Sequence, residues 1–287
     1  MLDAVEEHGE HPLMSGNMLI FGMGYTASRL ADALRGDGWT VTGTRRMSGG
    51  DAVAFDDRAS VLTALDGATH ILSSVPPFAE GGDPVLMAYG DAIAKSPVAW
   101  VGYLSSTGVY GDTGGAWVDE SAAIGQGRRA ARAEADLAWQ DLRRDVRVFR
   151  LPGIYGPGRS ALDRVTEGKA HRVDLPGQIF SRIHVDDIVS AILASFTRPP
   201  GVYNISDDQP ASQNDIIEYA CNLLSRDWPP LQSLDDAALS PMARGFYAEN
   251  RRISNQKAKR MLGWTPTYYD YKQGLAAISV TETENLD

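Results

Sequence analysis

The stretch Gly22-Met23-Gly24-Tyr25-Thr26-Ala27 sets two glycines and an alanine at the spacing Gly-x-Gly-x-x-Ala. The chemistry of that spacing is phosphate binding. The first glycine permits a tight turn, the second lets backbone approach a pyrophosphate, and a small third residue lets a helix pack on a strand. Amide groups that open the helix then face the phosphates. A buried-strand pattern over 17–22 precedes the stretch, helical spacing over 26–38 follows it, and a second strand pattern runs over 40–46. In that setting Gly22, Gly24, Tyr25, Thr26 and Ala27 are candidate dinucleotide-binding residues.

The second strand pattern ends in Arg45 and Arg46. An acidic residue there would hold the ribose hydroxyls of NAD. Two planar guanidinium groups instead suit a 2′-phosphate, so NADP is the expected cofactor and NAD the alternative. The competing reading of the pair is two solvated side chains. Asp56, after the third strand pattern at 51–55, either accepts from the adenine amine or is a surface carboxylate.

Five further stretches follow in order: "YLSSTGVYG" (103–111), "RLPGIYGPGR" (150–159), "RIHVDDIVSAI" (182–192), "VYNISDDQPAS" (202–212) and "KAKRMLGWTP" (257–266). With the glycine loop, they make the chain, from about Asn17 to Leu275, resemble the extended short-chain dehydrogenase/reductases, the NAD(P)-dependent epimerase/dehydratase family. The resemblance implies hydride chemistry on a small-molecule substrate, with a nucleotide sugar as the family's default. It implies that Ser106, four residues before Tyr110, orients a substrate oxygen. It sets Pro152, Gly153 and Ile154, with Leu151, beside the nicotinamide. Arg182 would border the substrate and meet an anion, or else pair with Asp186 or Asp187. His184 reads as a core histidine.

One departure stands out. The family carries Tyr-x-x-x-Lys on the helix after the VYG stretch, often with Glu four residues later. Here that helix reads "GQGRRAARAE" (125–134). With Glu134 as the family's glutamate, Gln126 and Ala130 fill the other two positions. No lysine lies between Lys95 and Lys169, and no tyrosine between Tyr110 and Tyr155. The usual relay, in which a lysine charge lowers the tyrosine pKa, is therefore expected to be missing. Tyr110 and Tyr155 are weak stand-ins for the proton donor. Arg128, Arg129 and Arg132 either bind phosphate or an acidic substrate, or form a solvated face with Glu134 and Asp136. Two functional readings follow: an NADP-dependent oxidoreductase or epimerase-like enzyme with an atypical active site, and a non-catalytic NADP(H)-sensing protein.

These residues need a scaffold. Strand patterns at 69–76, 101–111 and 146–156 alternate with helical ones, including 84–95 and 127–144. Strand, helix, strand in repetition implies a parallel sheet covered on both faces. The expected fold class is α/β, a doubly wound Rossmann sheet with a small α/β C-terminal substrate lobe. Residues 1–16 read as a leader, 17–160 as the dinucleotide-binding domain, and 161–287 mainly as the substrate lobe, with some elements returning to the sheet. The stretch 158–178 reads as an irregular insertion. Ser212 with Asp215 marks one helix start; Ser254 and Gly263 bracket another.

Composition narrows the partners. The 287 residues carry a net charge of −10, which repels nucleic-acid phosphates. The lone cysteine, Cys221, fits a reducing, cytoplasmic setting and reads as a buried apolar residue. No apolar run is long enough for a membrane span, and no cluster of residues suggests a metal. The resemblance implies a homodimer through the helices at 84–95 and 127–144.

Overall fold

The computed structural model describes residues 15–47, 49, 52–125, 130–237, 239 and 241–284. The strands are β1 (Asn17–Phe21), β2 (Thr40–Arg45), β3 (Ala52–Ala54), β4 (His70–Ser73), β5 (Trp100–Ser106), β6 (Trp117–Val118), β7 (Val146–Leu151), β8 (Gly153–Tyr155), β9 (Arg172–Val173), β10 (Arg182–His184), β11 (Gly201–Asn204), β12 (Leu231–Gln232) and β13 (Arg252–Ile253). The helices are α1 (Tyr25–Gly36), α2 (Arg58–Asp66), α3 (Pro84–Lys95), α4 (Ala130–Leu142), α5 (Ala161–Thr166), α6 (Val185–Ala194), α7 (Gln213–Leu223), α8 (Pro241–Phe246), α9 (Gln256–Leu262) and α10 (Tyr271–Glu284).

Seven strands form one parallel sheet in the order β11-β7-β5-β4-β1-β2-β3. Alternation along β1 shows why both faces are covered. Met18 and Ile20 enter the core that holds Leu30 and Leu34 of α1 and Ile188 and Ile192 of α6. Leu19 and Phe21 enter the opposite core, with Val61 of α2, Tyr89 of α3 and Trp139 of α4. Successive strand side chains point to opposite faces, so a sheet buried twice needs apolar residues at every position. All six residues of β7 are buried, two of them arginines. Arg150 pairs with Asp136, and Arg147 donates to the carbonyls of Asp145 and Arg198 at 3.0 and 2.6 Å.

Helix starts follow local chemistry. Asp83 accepts from the amides of Val85 and Leu86, with Pro84 in the first turn of α3. Ser212 and Asp215 form a capping box at α7, as their spacing predicts. The stretch 158–178 departs from the irregular segment expected: Ser160 and Asp163 form a second capping box and start α5. α9 begins after Asn255, one residue later than the Ser254 cap implied, and ends at Gly263 in the left-handed conformation, φ +65°. α5, α7 and α10 enclose a third core around Leu162, Ile216, Leu275 and the fully buried Cys221.

The sheet order reverses between β1 and β4. Crevices for ligands open at such a switch point, outside the carboxyl ends of the strands. The second half of the chain supplies β11 to this sheet and α6 to its face, beside α1. Among the described residues no helix is long and apolar enough to cross a membrane.

Candidate functional site

The turn after β1 is clamped from both sides. The amides of Gly22 and Met23 donate to Thr44 at the end of β2, at 3.1 and 3.0 Å. Just after β4, Ser74 Oγ donates to the Gly22 carbonyl at 2.5 Å. Gly22 sits at φ +86°, and a Cβ there would lie 2.8 Å from Val75 Cγ2. Only glycine satisfies that turn. Gly24 differs: its φ is −90°, and a Cβ would meet nothing within 4 Å. Empty space therefore lies over the second glycine. α1 begins here with no capping side chain and no acid in its first turn. A helix start left this way offers unpaired amides and the positive end of the helix dipole. The opening fits a pyrophosphate.

The remaining loop residues divide the labour. Ala27 is buried in the core, and Thr26 is nearly so. Tyr25 donates its hydroxyl to the Pro157 carbonyl at 3.0 Å and lies under the guanidinium of Arg159. The loop is thus tied to the segment after β8. Arg45 follows Thr44 directly, and its carbonyl accepts from Phe55 at 2.7 Å, next to Asp56. Arg45, Arg46 and Asp56 are exposed on one edge of the sheet, and neither arginine makes an ion pair among the described residues.

A cavity of about 940 Å³ runs from Gly24, Tyr25 and Thr26, past Ser106 and Arg132, along Leu151–Tyr155, to the C-terminal lobe. Its upper size range is that of a ligand site. Ser106 is half-buried on its wall and accepts from the Gly108 amide at 3.1 Å. The hydroxyl proton remains to donate. The neighbouring Ser105 is instead consumed, donating to Asp136 at 2.5 Å. Pro152, Gly153 and Ile154 also line the cavity, just beyond Leu151, which is the register partner of Ser106.

Tyr110 does not reach the cavity. It is 2% exposed, donates to Asn204 Oδ1 at 2.7 Å and accepts from Arg150 at 3.0 Å. Burial pushes its phenol further up. A tyrosine so held cannot deliver a proton to a ligand, and its candidacy as donor is withdrawn. Tyr155 does line the cavity, but its hydroxyl is directed at the Asp270 carbonyl, 3.5 Å away. Burial, with Asp207 and Asp187 nearby, drives that phenol far above its ordinary range.

The helix α4 corrects the register read from sequence. Gln126, Arg128 and Arg129 lie outside the described residues. Ala130 and Glu134 are exposed, whereas Arg132 is half-buried and lines the cavity. Residues two apart on a helix point about 200° apart, so Ala130 and Arg132 face opposite ways. Among the described residues of α4, Arg132 lines the cavity, and Asp136, one turn on, is buried against Arg150. A guanidinium, not a methyl group, therefore stands on the cavity wall, and its charge acts on Asp83 and Tyr103.

Arg182 lines the lobe side of the cavity. It pairs with neither acid that the sequence offered. Asp186 is taken by Arg29 in a two-pronged pair at 2.7 and 2.9 Å, and Asp187 accepts from the amides of Thr267 and Tyr268. Arg182 donates instead to the carbonyls of Phe180 and Ala211 and to Gln213 Oε1, at 2.9, 3.0 and 2.9 Å. His184 is a core histidine whose Nδ1 accepts from the Asp186 amide. Sequence reasoning missed Arg164, His171, Tyr247 and Arg251 on the same wall. They share no periodicity, and their only sequence signal was the serine cap that starts α5. No group of residues suited to a metal is found among the described residues.

No family model matches the sequence. A functionally unknown conserved protein from Silicibacter pomeroyi is 42% identical, with TM-score 0.82 over 93% of this chain and 99% of that one. The chain belongs to the same family as that protein. Its fold is that of the extended short-chain dehydrogenase/reductases. The human epimerase family protein SDR39U1, solved with NADPH, superposes with TM-score 0.75 at 15% identity, over 92% of this chain and 99% of that one. The UDP-glucose 4-epimerase of Thermotoga maritima, solved with UDP-glucose, gives 0.71 at 17% identity, over 94% and 100%. A 3-diazoavenalumate denitrifying reductase of a Streptomyces species is 31% identical over 140 residues, and the match spans 45% of each chain. The resemblance read from sequence is thus borne out at the level of the fold.

Proposed function

We propose that this chain is a nicotinamide-nucleotide-dependent oxidoreductase that prefers NADP(H). The observation that carries the reading is the opening of α1. It is an uncapped helix start with free space over Gly24, and it leads directly into the cavity that holds Ser106 and Arg132. Gly24 and the amides of Tyr25 and Thr26 would hold the pyrophosphate. Arg45 and Arg46 would hold a 2′-phosphate, and Asp56 the adenine amine. The bound nicotinamide supplies or accepts the hydride.

The chain's own residues handle the reacting oxygen. Ser106 accepts from Gly108 and keeps its hydroxyl proton to donate to a substrate oxygen. Arg132 supplies a fixed positive charge on the same wall, the service that a lysine performs in relatives with the Tyr-Lys pair. Such a charge stabilises an alkoxide-like oxygen as it develops. Pro152, Gly153 and Ile154 would confine the nicotinamide face. The NADPH complex of SDR39U1 and the reductase activity of the Streptomyces relative support this reading. Exposed Met87 on α3 and Leu137 on α4 support pairing of two copies through that face.

Calorimetric titration with NADPH and NADH tests cofactor binding and preference. An absorbance screen at the reduced-nicotinamide band, against carbonyl compounds and nucleotide sugars, tests turnover. Failure to bind either nucleotide overturns the reading. The competing one, NADP(H) sensing without chemistry, is favoured by the absence of a Tyr-Lys pair, and observed turnover eliminates it.

A further inference from the structure

We infer that the lobe side of the cavity is a subsite for an oxyanion, a carboxylate or phosphate carried by the substrate, formed by Arg182, Arg164 and Tyr247. The word substrate rests on the functional reading above; the subsite itself does not.

The first support is the isolation of Arg182. Arg29, Arg150, Arg172 and Arg251 each meet a carboxylate. Arg182 meets none within ion-pair distance among the described residues. Its three hydrogen bonds all go to neutral acceptors. They occupy Nη1 and one proton of Nη2, leaving the Nε proton and the second Nη2 proton uncommitted. Enclosing a cation without a counter-charge is unfavourable. The cost is visible in the group itself, whose pKa burial lowers to about 10. Asp207 is the acid that most opposes this shift. Yet no ion pair joins the two side chains among the described residues, and burial disfavours the charged form of the Asp207 carboxyl. An anion arriving through the cavity supplies what the fold withholds.

Two further groups converge on the same place. Tyr247 is half-buried on the cavity wall, and its ring packs edge-on against Phe180, whose carbonyl Arg182 holds. Its hydroxyl makes no hydrogen bond among the described residues, and the charges of Arg164 and Arg182 both act on it. Arg164 projects from α5, exposed and without an ion pair among the described residues. Two guanidinium groups and a phenol thus present donors, while the carboxylates that line the same cavity have partners of their own: Asp163 accepts from Ser160, and Glu167 and Glu249 pair with Lys169 and Arg251. By contrast Arg251, on the same wall, is consumed by Glu249 and the Gly111 carbonyl.

Position makes the anion part of the reacting molecule. β10 pairs with β8 so that Arg182 lies beside Gly153. A Cβ on Gly153 would sit 3.6 Å from Arg182 Cγ. The arginine stem therefore crosses the wall proposed to face the nicotinamide. The substrate class is an acid whose charged group anchors next to the carbon that changes.

The test uses the full chain loaded with NADPH, titrated with inorganic phosphate in one arm and benzoate in the other. Thermal midpoint and calorimetric Kd are the readouts. Saturable stabilisation at millimolar anion is expected, and the tighter arm identifies the group. Arg182→Gln should weaken binding about tenfold or more, and Tyr247→Phe by a smaller factor. Arg182→Lys should retain part of the affinity. NADPH affinity in each variant checks that the fold is intact. Equal anion affinity in wild type and Arg182→Gln, or no saturable effect in wild type, overturns the inference. If Arg182→Gln does not fold, the pair Arg164→Gln with Tyr247→Phe decides: unchanged anion affinity overturns it equally. The titration is repeated without nucleotide. Arg182-dependent anion binding in a chain that ignores NADPH leaves the subsite standing and removes the oxidoreductase reading. NADPH binding without anion binding does the reverse.

Discussion

Arg150 and Asp136 form a two-pronged ion pair, Nη2 to Oδ1 at 2.7 Å and Nε to Oδ2 at 3.0 Å, with side chains 3% and 0% exposed. Asp136 also accepts from Ser105 and Gln140, and Arg150 donates to Tyr110. The network ties β7, β5 and α4 together: Asp136 lies one turn beyond Arg132, and Ser105 directly precedes Ser106. Removing one partner leaves the other charge buried and alone. Asp136→Ala should therefore lower the unfolding free energy by about 3–5 kcal/mol, read by urea denaturation. Asp136→Leu with Arg150→Met should recover much of that loss, because both charges are gone. A single-variant loss below about 1 kcal/mol, the range of exposed pairs, would contradict this account.

Gly22 and Gly24 should respond oppositely to added side chains. At Gly24 the backbone suits any residue and the new side chain enters empty space. Gly24→Val should keep its melting temperature within a few degrees and lose NADPH binding by a factor of about ten or more, as a side chain blocks pyrophosphate approach. Gly22→Ala forces a positive φ and a contact with Val75, and should cost about 1–2 kcal/mol of stability. If Gly24→Val binds NADPH normally, the site is not over that glycine.

Cofactor preference should follow Arg45 and Arg46. Charge-assisted hydrogen bonds to a phosphate contribute about 1.5–3 kcal/mol, so Arg45→Asp with Arg46→Ala should cut the preference for NADPH over NADH by about tenfold to a hundredfold. Binding constants for the two nucleotides measure it directly. Unchanged selectivity would refute the role of these arginines.

What the sequence revealed was set by range along the chain. The glycine turn was legible because Gly22, Gly24 and Ala27 act within six residues. The helix cap at Ser212 was legible for the same reason. The register of α4 was not. Glu134 and Asp136 are both acids near its middle, and what distinguishes them is the bond from Asp136 to Arg150, 14 residues away. Tyr110 was misjudged because its partner Asn204 lies 94 residues further on. The lobe wall was invisible in the same way: Arg182, Arg164 and Tyr247 come from a strand, a short helix and a connecting segment whose meeting only the fold arranges.

Ser106 and Arg132 should separate in kinetics once a substrate is found by the screen. Ser106→Ala should leave NADPH affinity within about twofold and lower kcat by about 10²-fold or more, since one oxyanion donor is lost. Arg132→Gln should lower kcat and also raise the pH at which activity reaches its plateau, because a fixed cation favours the ionised oxygen. Arg132→Lys should restore much of both. An Arg132→Gln variant with a wild-type pH profile would assign that arginine to packing alone.

Stability should decline on acidification through two histidines. His70 is half-buried against Trp39 and Phe196, with ring centroids 4.7 Å away in each case. His184 is buried under Tyr268 at 4.2 Å. Burial lowers both pKa values from 6.5 to about 4; the Arg147 charge adds to the shift at His70, and Asp186 opposes it at His184. Each ring is therefore neutral in the fold at a pH where the unfolded chain is protonated. The stabilising effect is fully present above pH 6.5 and is lost as pH falls through about 4. Within that window each ring contributes a slope of up to about 1.4 kcal/mol per pH unit. Asp187 and Glu120 act with opposite sign, because burial raises their pKa values and the fold takes up protons there. The difference between wild type and His184→Asn isolates one ring, and asparagine keeps an acceptor for the Asp186 amide. Urea midpoints taken in steps from pH 7 to pH 4 should fall less steeply in the variant. Parallel slopes would show that His184 does not titrate as its surroundings dictate.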